Sequence, residues 1–196
     1  MRGSFDLRPD LQQWALLGVW SSEADFFRFY ERSFISSWWK FFGCEKWTIL
    51  CRPISSHGQW DGRNPFSSPS TEYLQEEPVA VLTRATIRWR RLGNFWSHVE
   101  EVSAEMAASE GYICSFGVGE APLYRQATFS VWRSTAHMQS FAFGKKYHLN
   151  VIKKTREENW YREELFARFK PVATFGTLNG VDPLEGLIAK DKITNL

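Results

Sequence analysis

The sequence predicts an α+β chain, with an incomplete β-α-β in the first half and a complete β-α-β-β-α-β in the second. Three observations carry this. Short apolar runs rich in aromatic and β-branched residues recur along the chain, as strands require. Helix-length amphipathic segments fall between them. Capping serines and threonines, glycines and prolines mark the joints.

The elements follow in order. Gln13-Trp-Ala-Leu-Leu-Gly-Val-Trp20 is apolar almost throughout and predicts a central strand. Ser21 or Ser22 caps a helix with Glu23 and Asp25 in its first turn, running through Phe26, Phe27, Phe29, Tyr30 and Phe34 and breaking before Trp38 and Trp39. Trp47 to Pro53 is the next strand, and it leads into a loop from Ser55 to Phe66. Ser67 to Pro78 is aperiodic and connects the halves. Val79 to Trp89 is a strong strand, and Asn94 opens a helix through Phe95, Val99, Val102 and Met106 to the stop at Glu110-Gly111. Tyr112 to Val118 and Tyr124 to Trp132 form a hairpin about a turn at Gly119 to Pro122. Ser134 or Thr135 caps a helical region that breaks at Gly144 and continues to Trp160, and Leu165 to Thr177 returns as a strand. The second half is therefore the ferredoxin-like split unit. The chain divides as 1–66 (incomplete first unit), 67–78 (connector), 79–180 (second unit) and 181–196 (polar peripheral tail).

Composition narrows the function. Among 196 residues, 16% are aromatic, about twice ordinary usage. That load implies a ring-rich core or a large apolar cavity for a flat or greasy ligand. The formal charge of +2, with bases and acids interspersed, argues against nucleic acid. Cys44, Cys51 and Cys114 form no CxxC pair, so neither a zinc site nor a disulfide framework is expected, and a reducing, cytoplasmic setting fits. No run approaches the roughly 20 apolar residues of a membrane span. GxSxG, HExxH and P-loop motifs are lacking, and the pairs Glu100-Glu101 and Glu163-Glu164 read as surface charge.

Two side chains stand out. On a helix, His148, Val151, Ile152, Thr155 and Arg156 share one side, with Lys145, Lys146, Lys153, Lys154 and Glu157 opposite. His148 thus projects from an apolar stripe, either as a satisfied core residue or as a ligand to something buried. His57, His98 and His137 lie in more polar settings. Arg84 shares a strand face with Leu82 and Thr86, away from Val81, Thr83 and Ala85. Turned into a cavity it needs an anion or acceptor; the alternative is an ion pair with a glutamate. Gln126 and Phe129, on the hairpin strand, are expected to line the same pocket.

Several runs together resemble the spheroidene monooxygenase family of carotenoid biosynthesis: Trp60-Asp-Gly-Arg-Asn-Pro-Phe66, Val81-Leu-Thr-Arg-Ala-Thr86, Gly119-Glu-Ala-Pro-Leu123, Gln126-Ala-Thr-Phe-Ser-Val-Trp132 and Arg156-Glu-Glu-Asn-Trp-Tyr-Arg-Glu-Glu-Leu-Phe-Ala-Arg-Phe169. The resemblance implies tandem ferredoxin-like units of the dimeric α+β barrel type and a haem-dependent monooxygenase acting on an apolar, carotenoid-like molecule. It implies haem b with His148 as iron ligand, Arg84, Phe129 and Ile152 around the cofactor, and Arg84 (toward a propionate or iron-bound oxygen) and Gln126 as catalytic groups. Molecular oxygen and an electron donor such as ferredoxin would be co-substrates, with homo-oligomerisation and a membrane-peripheral location as further expectations. A haem enzyme of another class, dehydratase or peroxidase-like, and a non-catalytic haem protein are the alternatives. One departure is that the family carries an N-terminal strand-helix-strand before the stretch matching Gly3 to Trp20, whereas here Met1 and Arg2 abut it. The expectation is a shortened first unit, open at one edge to solvent or to a partner chain.

Overall fold

The computed structural model describes residues 10, 12–66, 72–121, 123–144 and 146–188, with backbone only at 146–149 and 152. Its elements are helices α1 (Glu23–Arg32) and α2 (Phe34–Phe41), strand β1 (Trp47–Gly58), strand β2 (Val79–Ile87), helix α3 (Leu92–Ala107), strands β3 (Tyr112–Ala121) and β4 (Arg125–Trp132), helices α4 (Thr135–Gly144) and α5 (Lys146–Glu157), and strand β5 (Tyr161–Gly176).

One antiparallel sheet in the order β1-β5-β2-β4-β3 holds all five strands. The α3 crossover carries the chain from β2 past β4 to β3, and the α4–α5 crossover carries it from β4 past β2 to β5. This is the split unit expected from the second half, and the fold is α+β. The first half adds β1 to the outer side of β5, so one sheet holds strands from both halves of the chain.

Alternation along β2 divides the core. Val79 and Val81 meet Met106 of α3, Trp132, and Met138 and Phe141 of α4. Ala80 and Leu82 turn the other way, toward Val131, Leu165, Ala167, Phe169, Phe66 and Leu184. Both faces of β2 are covered, which is why its sequence reads as a continuous apolar run.

Several expectations are corrected. Gln13–Trp20 forms no strand: an apolar run becomes one only by pairing with a neighbour, and this run pairs with neither outer strand of the sheet, β1 or β3. Trp20 instead packs on Phe26 and Phe29 of α1, with ring centroids 6.4 and 4.7 Å away. The break between α1 and α2 lies at Ser33, not before Trp38. The Ser33 hydroxyl accepts from the Ser36 amide at 3.0 Å while its own N–H donates to Phe29, so one residue ends one helix and caps the next. Ser22 caps α1 through the Asp25 amide, as expected. β1 runs on through Ser55 to Gly58, where a loop was expected, because Arg168 to Leu165 of β5 supply its ladder partners. At the other end, α5 stops at Glu157: Asn159 adopts a left-handed conformation (φ 53°), the Trp160 amide donates to Thr155 O, and Trp160 is buried. β5 therefore starts at Tyr161 rather than Leu165. The tail is not wholly peripheral. Leu184 is buried in the core, and Asp182 accepts from the Trp47 indole at 2.9 Å and from Thr174.

Candidate functional site

Arg84 organises the one extended charged network found inside the described residues. It sits on β2 with no solvent exposure. From β3, Glu120 Oε2 accepts from its Nε and Nη2 at 3.1 and 2.9 Å; from β5, Glu163 accepts from Nη1; Asp61 Oδ1 lies 3.5 Å from Nη2. The Trp60 ring lies over the guanidinium at 5.3 Å, and its indole donates to Glu120 Oε1 at 3.3 Å. Arg125 approaches Asp61 at 3.4 Å and Glu120 at 3.7 Å. Two cations thus meet three carboxylates around one buried guanidinium.

Local backbone geometry places these groups. Asp61 and Gly62 both have positive φ (51° and 76°), as the central pair of a tight type I′ reversal needs, and Trp60 and Arg63 close it with reciprocal backbone hydrogen bonds. The turn leaves the Asp61 and Gly62 amides pointing outward, and the Glu163 carboxylate accepts from both at 2.9 and 2.8 Å. Those amides, Gly62 first, outweigh burial and with Arg84 hold the Glu163 carboxyl below the usual carboxylate range. Burial disfavours the Arg84 charge, but hydrogen bonds to Glu120 and Glu163 more than compensate and raise its pKa. Chemically the arrangement is a clamp: it fastens the turn after β1 onto β2, β3 and β5, and the guanidinium has no face left for another anion.

The register separates the other candidates. Phe129 shares the Arg84 face and packs against the Leu82 cluster. Gln126 pairs with Ala85, one residue off, and so lies on the opposite face. The sheet does not bring Gln126 and Phe129 to one pocket. The backbone of His148 and Ile152 belongs to α5, while their side chains lie outside the described residues. Among the remaining histidines, His57 is on β1, stacked on Phe166 at 5.1 Å, rather than in a loop. His98 donates from Nδ1 to Asn94 O, 2.7 Å away. His137 contacts the Ser134 hydroxyl at 2.8 Å under Gly111, whose backbone it approaches so closely that a Cβ there would lie 2.2 Å from the ring. Burial pushes the Cys51 and Cys114 thiols up to about 12, away from reactivity.

An open hollow of about 240 Å³ lies where α5 gives way to β5, between Thr155, Arg156 and Asn159 on one side and Tyr161 to Glu164 on the other. It falls below the roughly 300–1,000 Å³ of ordinary ligand pockets. Of the residues expected around a haem, Arg84 does not fit that role, since its guanidinium is bonded to carboxylates; Phe129 is partly buried against the Leu82 cluster.

Sequence reasoning missed Glu163, taken for surface charge, along with Glu120 and Asp61. A signal for them existed. The runs containing Trp60-Asp61, Arg84, Glu120 and Glu163 are four of the five that carried the family resemblance, and the fold gathers them at one point.

Comparison with known proteins follows the same runs. No protein-family profile matches the chain. It is 35% identical over 181 residues to the spheroidene monooxygenase of Rhodobacter capsulatus, spanning 92% of this chain and 75% of that one. The spheroidene monooxygenase of Cereibacter sphaeroides is 36% identical over 188 residues (95% of this chain, 58% of that one). That of Rubrivivax gelatinosus is 34% identical over 179 residues (91% and 68%). Among solved structures, similarity extends to SnoaB, a cofactor-independent oxygenase from Streptomyces nogalater (15% identity, 52% of this chain, 93% of that one, TM-score 0.39), and to a conserved protein from Methanosarcina mazei (11%, 50%, 95%, TM-score 0.43).

Proposed function

The chain belongs to the spheroidene monooxygenase family, and from that premise we propose that it inserts one oxygen atom into an apolar, carotenoid-like molecule. The reaction balances as substrate C–H plus O2, two electrons and two protons giving C–OH and water, so an external donor such as a ferredoxin supplies the electrons. The observation that carries this reading is identity of 34–36% across more than nine-tenths of the chain with three monooxygenases of that name. The aromatic richness of the sequence agrees with a greasy substrate.

A haem forms part of the proposal, with His148 on α5 as its iron ligand. Arg84 has a different part in it: through the clamp it positions the Trp60–Arg63 turn against the sheet and touches neither cofactor nor oxygen.

The test is reconstitution. Protein mixed with haem is expected to give a shifted Soret band that His148→Ala loses, and, with reductant and oxygen, to convert an acyclic carotene to an oxygenated product. An unchanged spectrum in His148→Ala would sink the ligand assignment. Failure to oxygenate any carotene while the haem spectrum persists would sink the reaction.

A further inference from the structure

We propose that α2 docks the protein on a membrane surface, seating an outward aromatic stripe in the headgroup–acyl boundary of an anionic bilayer. Phe34, Trp38, Phe41 and Phe42 stand four, seven and eight residues apart, on one side of the helix. They are 76%, 52%, 83% and 58% exposed. Their rings touch one another in series, Phe34 to Trp38 at 5.7 Å, Trp38 to Phe42 at 4.9 Å and Phe41 to Phe42 at 5.1 Å, so the stripe is continuous.

The helix is inverted for a protein surrounded by water. Its buried position is Ser36, 1% exposed, whose hydroxyl has no hydrogen-bond partner among the described residues. A water-facing helix puts serine out and phenylalanine in. Here Ser36 is inside beside a half-buried Trp39, while Ser37 and the other four rings face out, an arrangement that suits an apolar medium on the outer side.

Size and charge choose the medium. Four rings at these exposures present on the order of 500 Å² of apolar surface, more than the few hundred Å² at which an exposed patch marks an interaction site. That is less than the roughly 800 Å² per partner of a standard protein interface. Phenylalanine and tryptophan beside basic residues is the composition of interfacial helices. Arg32, the last residue of α1, and Lys40, in the last turn of α2, are exposed, and no acidic residue occurs between Glu31 and Glu45, which complements anionic headgroups. With eight residues α2 lies along the surface, and no helix among the described residues is long and apolar enough to cross it. The docking inference stands on this helix; its purpose, access to a lipid-dissolved substrate, rests on the proposed function.

Flotation with vesicles tests it. The protein is expected to float with phosphatidylcholine–phosphatidylglycerol vesicles and more weakly with phosphatidylcholine alone. Phe34→Ser with Phe41→Ser should weaken partitioning on the order of tenfold or more, and Lys40→Glu should weaken it on the anionic vesicles only. Both variants should keep the wild-type circular dichroism and melting curve. Wild-type protein that does not float, or a double serine variant that floats as wild type does, overturns the proposal. So does a wild-type dimer that the double variant dissociates without any vesicle binding, since a second copy would then cover the stripe. Turnover separates this from the proposed reaction. The double variant should process detergent-dispersed substrate normally and vesicle-embedded substrate poorly, whereas vesicle binding without turnover by either protein refutes the reaction and leaves the docking intact.

Discussion

Replacing Arg84 by methionine separates a clamp from a ligand-binding arginine. The substitution keeps an unbranched chain of similar length in a site with no solvent exposure, so packing changes little. What goes are two hydrogen bonds to Glu120 and one to Glu163, each about 1.5–3 kcal/mol where a charged group takes part. Against that stands relief from burying a cation, worth several kcal/mol in the unpaired reference. The orphaned carboxylates are 30% and 19% exposed and recover part of their hydration. The net loss is therefore set at about 3 kcal/mol, the low end for breaking a buried pair. For a chain of this length that lowers Tm by about 6–12 °C. Urea and thermal unfolding measure it, and Glu163→Gln in both backgrounds should give a coupling energy of about 1–3 kcal/mol. A loss below about 1 kcal/mol, with no coupling, would refute the clamp and place these charges with ordinary surface pairs. An arginine reserved for an external anion would give the reverse: stability kept and binding lost.

Other outcomes follow from the same geometry. The Glu163 carboxyl is depressed in the fold chiefly by the Gly62 and Asp61 amides, so its contribution is complete above its unfolded value of about 4.3 and is lost as pH falls through the folded one; in acid unfolding below about pH 4.3, Glu163→Gln should lose stability less steeply than wild type. Gly111→Ala forces a Cβ against His137 at a left-handed φ of 74° and should cost about 2–4 kcal/mol in denaturant melts. Gly176→Ala, with φ 78° and a Cβ crowding Lys46 O, should loosen the end of the β1–β5 ladder, read as faster amide exchange at Thr177, whose amide donates to Lys46 O. In native protein an aromatic disulfide reagent should modify Cys44, which is exposed, and reach Cys51 and Cys114 only on unfolding.

The second half of the fold was legible because its information is local. β2 is apolar on both faces, the α3 stripe has helical period, and Gly144 falls between two helices. Gln13–Trp20 misled because an apolar octapeptide does not say whether it will pair with a strand or pack by its side chains, as Trp20 does on α1. Ser33 was passed over as a boundary since Phe34, Trp38 and Trp39 continue the apolar spacing across it, and only its backbone angles reveal the cap. Leu184 lies in a tail whose apolar residues Val181, Leu184, Leu187 and Ile188 are broken up by Pro183 and Gly186, so that they read as neither helix nor strand although the last three pack on the core. At the site, the in-and-out alternation put Arg84 on the right face with Leu82. It was equally able to show that Gln126 and Phe129 diverge, since residues three apart on a strand always do.

The convergence of the family runs on Arg84 bears on how a resemblance should be read. Such runs are naturally taken for a ring of groups around a cofactor, and Arg84 for the anion-binding member. Instead Trp60, Asp61, Arg84, Glu120 and Glu163 satisfy one another. A buried guanidinium tolerates no lost partner, which couples residues far apart in sequence: changing Glu120 leaves Arg84 short, and changing Gly62 moves an amide that Glu163 needs. Mutual dependence of this kind preserves a motif as strictly as catalysis does, without contact with substrate. α5, joined to the clamp through the short Asn159–Trp160 reversal and the first residues of β5, is the element the clamp would hold in register. Loosening the clamp by Glu163→Gln should accordingly alter α5 before it alters the sheet, seen as hydrogen exchange rising first at Glu158 and Trp160, whose amides bond back to Lys154 and Thr155. Exchange rising first in β2 instead would mean that Arg84 supports the sheet alone.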